Sequence, residues 1–249
     1  MKGKILTGNV MDREIIVYLP PSYRRTGAGF PVVYVQDKGD LFDPSGSHAL
    51  ADLEALFEQA RLVELVLVGV ASNDRRSEYT PWPAPALAER YGGFGGRGAD
   101  YLAFLAHELK PYIDGEYNTL RQPGDTGIAG ASLGGLIATY AAYLYPGVFG
   151  RIASISGSFW YQGWIEFMAA QRIAPAGRKI YLDVGSLEGT VKTNVQKEMV
   201  PQTRKAHQIL RSAGFTAGDC KLVIDEGAVH RQEFFTKRFP SALQWLFAK

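Results

Sequence analysis

The pentapeptide Gly-Ala-Ser-Leu-Gly at positions 130–134 separates two segments with different patterns of apolar residues. Residues 125–129 have the length and composition of a buried strand, and residues 135–144 have those of a helix. A strand that passes directly into a helix needs a sharp, strained turn, and glycines on both sides of Ser132 permit it. A serine on such a turn has an exposed hydroxyl. The pattern therefore predicts a strand–turn–helix unit that presents Ser132 as a nucleophile.

The rest of the chain alternates between predicted strands and predicted helices. We expect strands at 14–19, 31–36, 65–70, 152–155, 180–184 and 222–224, and helices after Ser47 and at 99–113, 164–171, 192–212 and 232–248. Several of these strands are continuously apolar, which is typical of strands buried on both faces. Such alternation predicts an α/β fold with a mostly parallel central sheet and helices on both faces. No internal repeat or linker divides the chain, so residues 1–249 are expected to form one domain.

Residues 71–98 do not fit this alternation, because they contain Pro81, Pro83, Pro85 and a glycine-rich stretch at 91–98. We predict no regular structure there. Loops of this length in a compact domain are usually functional or mobile. No strand leads directly into the glycine-rich stretch and no Lys-Ser or Lys-Thr pair follows it, so a phosphate-binding loop is not favoured.

Composition and charge argue against several classes of protein. The formal net charge of +2 favours neither nucleic acid nor a membrane as a partner. No apolar stretch reaches the length of about 18 residues typical of a transmembrane helix, and the first ten residues lack the apolar region of a signal peptide. The single cysteine, Cys220, forbids an internal disulfide and is compatible with a cytoplasmic location. No Cys, His and Asp residues cluster at metal-binding spacing, so we predict no metal and no cofactor.

A serine hydroxyl needs a base to take its proton and a third group to orient that base. For a serine on a strand–helix turn, the chain order is serine, then acid, then histidine after the last strand. His48 and His107 precede Ser132 in the chain. His207 lies within a predicted amphipathic helix. His230 remains, because it follows the last predicted strand by a short loop, and we predict it as the general base.

Two carboxylates compete for the role of the orienting acid. Asp183 lies within the strand predicted at 180–184. Glu188 lies in the loop that follows this strand, where a reversal of the chain can bring it to the histidine. We favour Glu188 as the acid and keep Asp183 as the alternative.

An oxyanion hole requires two backbone N–H groups aimed at the developing negative charge. Leu133 is expected to supply one of them, since it begins a helix and its N–H has no acceptor inside that helix. The second should come from the loop after Gln36, where Gly39 is the candidate and Lys38 is its neighbour.

Six segments together resemble a known family, namely residues 32–37, 73–81, 130–135, 156–160, 185–188 and 227–230. The first two are similar to a core strand with its oxyanion turn and to a segment that runs from an arginine to Tyr-Thr-Pro in one esterase family. The next two are similar to that family's Gly-x-Ser-x-Gly-Gly turn, which carries the nucleophile, and to a segment that lines its pocket. The last two are similar to the loop that carries its acid and to the turn that carries its histidine. This family contains siderophore trilactone esterases, feruloyl esterases and related carboxylesterases. Two positions depart from its pattern: Lys38 replaces a glycine, and Glu188 stands where the family has aspartate.

The resemblance implies an α/β-hydrolase fold and a substrate-binding role for Arg75, which matches an arginine that holds an anionic or catechol-bearing substrate. A loop anchor is the alternative role for this arginine. Trp160, Tyr161 and Trp164 form an aromatic cluster near the expected site. These rings either stack on an aryl or sugar group of the substrate or fill the core beneath a short helix.

The expected function is hydrolysis of a small-molecule carboxylic ester through an acyl-enzyme on Ser132, with a short acyl group or a bulky head group. About twenty residues separate Trp160 from the next strand, too few for a large lid. The alternatives are a dedicated siderophore trilactone esterase, acyl transfer to an alcohol, cleavage of an amide or thioester, and a non-catalytic binding protein. The presence of a serine, an acid and a histidine in the right order argues against the last. No oligomeric state is predicted.

Overall fold

A computed structural model of the protein describes residues 1–23, 29–88 and 92–248. The strands of the main sheet are β1 (Lys4–Val10), β2 (Arg13–Leu19), β3 (Val32–Val35), β4 (Val66–Val70), β7 (Thr126–Ala131), β8 (Arg151–Ile155), β9 (Lys179–Gly185) and β10 (Cys220–Asp225), while β5 (Pro83–Ala84) and β6 (Phe94–Gly95) pair only with each other. The eight strands of the main sheet lie in the order β1-β2-β4-β3-β7-β8-β9-β10. Strands β1 and β2 are antiparallel to their neighbours, and all neighbouring pairs from β4 to β10 in this order are parallel. The prediction of a mostly parallel sheet is confirmed.

Helices cover both faces of the sheet, as predicted. They are α1 (Ala49–Glu58), α2 (Arg75–Glu78), α3 (Gly98–Phe104), α4 (Lys110–Glu116), α5 (Leu133–Leu144), α6 (Trp164–Ala170), α7 (Met199–Ser212) and α8 (Gln232–Phe247). Side chains alternate along each strand, so Tyr34 packs on one face while Val33 and Val35 pack on the other. Helices α3 to α7 contribute to the core on the first face, and α1 and α8 to the core on the second.

Strand β1 is absent from the sequence-based assignment. It lies at the edge of the sheet and most of its side chains are exposed or half-buried. An edge strand of this kind needs no apolar pattern, and Gly8 and Asn9 weaken its strand propensity further. The fold therefore begins with an antiparallel hairpin that the periodicity of the chain does not reveal.

The prediction of no regular structure over residues 71–98 is wrong. Helix α2 begins after Asp74, whose carboxylate accepts a hydrogen bond from the N–H of Ser77 at 3.3 Å, and strands β5 and β6 close a small ladder. These elements are two to four residues long, too short to leave a periodic signal. Residues 89–91, part of the same segment, lie outside the described residues.

The helices of the structure differ from the predicted ones at three places. A π-helical turn at Leu105–Leu109 joins α3 to α4, and a 3₁₀ turn at Val195–Glu198 precedes α7. Helix α1 starts at Ala49, whose N–H donates to Oγ of Ser47 at 3.2 Å, although His48 occupies the cap position.

The carboxyl ends of the parallel strands meet at one edge of the sheet, where ligand sites of α/β folds usually lie. Gln36, Ser132, Glu188 and His230 all follow strands at this edge. Within the ranges that the structure describes, no helix is both long and apolar enough to cross a membrane.

Candidate active site

Ser132 stands alone between strand β7, which ends at Ala131, and helix α5, which begins at Leu133. Its φ of 57° and ψ of −120° place it in a strained region of backbone conformation. The flanking glycine is needed because a Cβ on Gly130 would lie 2.6 Å from the carbonyl of Gly134. The turn therefore projects the serine side chain away from the strand at the edge of the sheet.

Ser132, His230 and Glu188 are joined by a continuous chain of hydrogen bonds. Oγ of Ser132 lies 3.0 Å from Nε2 of His230. On the other side of the ring, Nδ1 of His230 lies 2.6 Å from Oε2 of Glu188. The ring of Phe235 packs edge-on against the imidazole, with ring centroids 4.8 Å apart. The three side chains predicted from the chain order are thus brought together in that order.

The Glu188 carboxylate is fully buried, and its second oxygen is also satisfied. Oε1 accepts hydrogen bonds from the N–H of Gly185 at 2.7 Å and from the hydroxyl of Ser156 at 2.5 Å. Burial by itself raises the pKa of this carboxyl, but the hydrogen bond and charge of His230, together with the other donors, hold the pKa below its usual value. Glu188 is therefore kept ionised beside the imidazole.

Asp183, the alternative acid, points to a different partner. It is buried at the end of β9, accepts from the N–H of Ser156 at 3.0 Å and lies 3.1 Å from Nη1 of Arg238. Burial raises the pKa of its carboxyl to about 7, against the opposing charge of Arg238. Among the described residues, no hydrogen bond or ion pair joins Asp183 to His230.

The expected pair of oxyanion donors needs one correction. Leu133 is the first residue of α5, and its N–H meets no acceptor in the part of the chain that the structure describes. The N–H of Gly39, by contrast, donates to the carbonyl of Gln36 at 3.0 Å inside a tight turn, so this group is not free for an oxyanion. Its neighbour Lys38 has a φ of 57°, and its N–H has no acceptor within the described ranges. Lys38 is therefore the better candidate for the second donor.

Arg75 holds the turn that carries Lys38. Its Nε and Nη2 donate to the two carboxylate oxygens of Asp37 at 2.6 and 3.0 Å, a bidentate pair, and Nη2 also donates to the carbonyl of Ala131 at 3.4 Å. The N–H of Asp37 donates to the hydroxyl of Tyr79 at 2.9 Å. Arg75 thus occupies the loop-anchor position, while 41 % of its side chain stays accessible at the pocket wall.

A cavity of about 490 Å³ opens beside Ser132. A second cavity of about 380 Å³ adjoins it and has largely apolar walls. The residues that line both cavities are Leu87, Phe94 and Trp160. The first is completed by Arg75, Arg76, Gly92, Ser132, Leu133 and Gln196. The space next to the serine is therefore lined by both apolar and cationic side chains.

Of the three aromatic residues predicted to form a cluster, two line the cavities and one lies in the core. Trp160 lines both cavities and Tyr161 lines the second. Trp164 is completely buried and stacks against Phe159 and Phe167, with ring centroids 6.2 and 5.4 Å apart. The assignment of Trp164 as a substrate contact is therefore wrong, because its position at the start of α6 directs the ring into the core.

Two groups near the site are absent from the sequence-based assignment. Arg238 lies in the middle of α8 and contacts Asp183, Ser156 and Glu188. Its spacing from the apolar Phe235 and Ala242 places it on the buried side of that helix, a signal for a buried arginine.

The second missed group is the hydroxyl of Ser158, whose Oγ lies 3.2 Å from Oγ of Ser132. No residue pattern distinguishes it, although the surrounding segment at 156–160 is already expected at the pocket. In the described portion of the chain, no three His, Cys, Asp or Glu side chains group so as to hold a metal ion.

Comparison with known proteins places this architecture in a family. Residues 9–246 match the sequence model of the Esterase family, described as "Putative esterase". The uncharacterized protein YbbA of Bacillus subtilis (strain 168) is 42% identical over 249 residues, which cover 100% of this chain and 98% of YbbA. The Iron(III) salmochelin esterase of Escherichia coli O6:H1 is 29% identical over 231 residues, or 85% of this chain and 49% of that protein, so the chain spans about half its length.

A solved structure supports the same fold. The IroE-like serine hydrolase from Shewanella oneidensis superposes with a TM-score of 0.76 at 19% identity, covering 98% of this chain and 79% of that one. The resemblance inferred from the sequence motifs is confirmed. The chain belongs to the esterase family.

Proposed function

We propose that this protein is a serine carboxylester hydrolase that acts through an acyl-enzyme on esters with a short acyl group or a bulky head group. The observation that carries the proposal is the unbroken hydrogen-bond chain from Ser132 through His230 to Glu188. Such a chain activates a hydroxyl that is otherwise a weak nucleophile.

In the proposed mechanism, Nδ1 of His230 donates to Glu188, which leaves Nε2 free to accept the proton of Ser132. Ser132 Oγ then attacks the ester carbonyl, and the buried Glu188 carboxylate stabilises the imidazolium that forms. The N–H groups of Leu133 and Lys38 bind the oxyanion. His230 returns its proton to the departing alcohol. A water activated by the same histidine then releases the acid and restores the serine.

The walls of the cavities support the proposed range of substrates. Trp160 and Phe94 offer flat apolar surfaces for an aryl or sugar group, and the adjoining cavity gives room for a bulky head group. Only the short helix α6 lies between β8 and β9, so this connection supplies no large lid. Transfer of the acyl group to an alcohol would use the same residues and remains the alternative outcome of the second step.

A dedicated siderophore trilactone esterase is the second candidate function, and the two arginines that line the cavity favour it. Arg75 is paired with Asp37, whereas Arg76 donates to the carbonyl of Gly92 at 2.9 Å and, within the described ranges, forms no ion pair. An anionic or catechol-bearing ester would find its charge partner there. The Escherichia coli relative is named as a salmochelin esterase, which is consistent with this narrower role.

The central test is a comparison of Ser132→Ala with Ser212→Ala, a matched control at the exposed end of α7. Ser132→Ala should lower p-nitrophenyl acetate turnover by at least about 10³-fold and abolish covalent labelling by a fluorophosphonate, while the control stays near wild type. A Ser132→Ala protein that remains folded and fully active would refute the proposal.

A screen of acetylated sugars, feruloyl esters and triscatechol lactones distinguishes the substrate classes. The same screen with and without an alcohol acceptor distinguishes hydrolysis from acyl transfer.

The cysteine content supports a proposal about the compartment. Cys220 is free and buried, and it is the only cysteine of the chain. We propose a reducing, cytoplasmic location, which fractionation of cells that express a tagged protein would test.

A further inference from the structure

The hydroxyl of Ser158 is a buried polar group that the mechanism above does not use. The residue is completely inaccessible to solvent. Its N–H donates to the backbone carbonyl of Ser132 at 3.0 Å, and its Oγ lies 3.2 Å from Oγ of the same serine. Within residues 1–23, 29–88 and 92–248, Ser158 Oγ has no other hydrogen-bond partner. A buried hydroxyl normally has a partner, and here that partner is the nucleophile.

The direction of this hydrogen bond follows from proton counting. A serine hydroxyl has one proton to donate and two lone pairs to accept with. If Ser132 gives its proton to Nε2 of His230, it has none left for Ser158. The bond between the two serines must then run from the hydroxyl of Ser158 to Oγ of Ser132. Oγ of Ser132 therefore receives a hydrogen bond from a donor that is shielded from water.

We propose that Ser158 is a further catalytic residue, whose hydroxyl stabilises Ser132 Oγ as it leaves the acyl group during deacylation. This inference rests on the proposed serine esterase function. In deacylation, water adds to the acyl carbon and its proton goes to His230 Nε2. The bond between that carbon and Ser132 Oγ then breaks, its electron pair stays on Oγ, and His230 returns the proton to Oγ. Ser158 keeps its own proton throughout and forms only a hydrogen bond.

The two halves of the reaction should respond differently to this donor. In the acyl-enzyme, Ser132 Oγ is an ester oxygen and a poor acceptor, but it gains negative charge as the bond breaks. The hydrogen bond from Ser158 is then stronger in the transition state than before it, which accelerates the step. In acylation, Oγ begins as a hydroxyl that already accepts this bond, so little is gained. The inference thus predicts a selective effect on deacylation.

The test compares Ser158→Ala with Ser154→Ala by rapid-quench kinetics and intact-protein mass spectrometry, using p-nitrophenyl acetate. Ser154 is a matched control, because its hydroxyl is also fully buried but donates to the carbonyl of Gly135 at 2.9 Å. Ser158→Ala should slow deacylation about tenfold and change acylation less than about threefold, so that the acetylated enzyme accumulates. Ser154→Ala should leave the ratio of the two rates unchanged.

A purely structural role would give a different pattern. Loss of packing or of the serine rotamer would slow both steps by the same factor, and equal slowing, no slowing, or no acetylated enzyme in Ser158→Ala would each overturn the inference. Ser158→Cys, which keeps a weak donor, should recover part of the deacylation rate. Failure of the esterase proposal is recognised separately, because Ser132→Ala would then remain active.

Discussion

Oε2 of Glu188 lies 2.6 Å from Nδ1 of His230, so the loop after β9, and not the strand itself, supplies the carboxylate that contacts the histidine. Asp183 on the strand is turned toward Arg238 at 3.1 Å. The two buried acids share Arg238 and Ser156 as partners, but only Glu188 contacts the histidine. Substitution of each acid therefore distinguishes their roles.

Glu188→Gln should lower kcat/KM for p-nitrophenyl acetate by about 10³- to 10⁴-fold, because the amide can donate to Nδ1 and stabilise the wrong tautomer of His230. Asp183→Asn should lower it less than about tenfold, since Arg238 and Ser156 are its partners. Steady-state kinetics on both variants, with near-ultraviolet circular dichroism to check folding, provides the measurement. The reverse order of the two effects would assign the acid to Asp183.

Arg238→Met should destabilise the protein by about 3–5 kcal/mol, because it leaves the buried carboxylates of Asp183 and Glu188 without their cation. Urea unfolding followed by fluorescence would measure this as a lower midpoint. Arg97→Met is the matched control, since Arg97 pairs with Asp100 on the exposed surface at 3.5 Å and should shift the midpoint far less. Equal midpoints for the two variants would contradict the structural role of Arg238.

Asp40 gives a prediction for the pH dependence of stability. Burial, followed by the charge of Asp37, raises the pKa of the Asp40 carboxyl to about 7, and its buried Oδ1 has no hydrogen-bond partner among the described residues. Because this pKa is higher in the folded than in the unfolded chain, the folded state binds the extra proton. Asp40 therefore contributes to the free energy of unfolding below about pH 4, and this contribution is lost as the pH rises to about 7.

Asp40→Asn should therefore flatten the dependence of the unfolding free energy on pH between about 4 and 7 relative to wild type. Asp52→Asn, at an exposed position of α1, serves as the control. Urea titrations at several pH values would measure the slopes. An Asp40→Asn protein with an unchanged slope would show that this carboxyl is not the group responsible.

Arg75 and Arg76 are adjacent in sequence but should affect different kinetic constants. Arg75→Met releases Asp37 and the oxyanion turn, so kcat should fall about tenfold or more for every ester. Arg76→Met removes a pocket cation without such a pair and should raise KM only for esters that carry an anionic group. Kinetics with p-nitrophenyl acetate and p-nitrophenyl hemisuccinate would separate the two. A rise in KM confined to the anionic ester in Arg75→Met would instead identify Arg75 as the substrate contact.

Much of the sheet was predictable because its strands are buried on both faces and read as continuous apolar runs, as at Val32–Val35. Strand β1 was not predictable, because most of its side chains are exposed or half-buried at the edge of the sheet and so show no apolar pattern. The short elements of residues 71–98 depend on single contacts such as the Asp74 cap, which periodicity does not encode. That residues 1–249 form one domain stays a prediction.

In the candidate site, too, some features could be predicted from the sequence and others could not. Chain order was enough to predict that His230 and Glu188 lie beside Ser132, because topology fixes which loops meet at the edge of the sheet, while their catalytic roles stay a prediction. The donor at Gly39 could not be judged in this way, since it depends on which N–H the turn itself uses. The ring of Trp164 also required a structure, because only its direction separates a pocket wall from the core.

The position of Arg238 in α8 has a consequence for how the protein matures on the ribosome. His230 lies just before α8. Arg238, which contacts Glu188, lies within this helix. A nascent chain that ends at Asp225 contains Ser132 and all eight strands of the sheet, but neither His230 nor Arg238. Under the proposed function, we expect a chain that stops at this point to be inactive toward esters, because it lacks both the base and the arginine that contacts the acid.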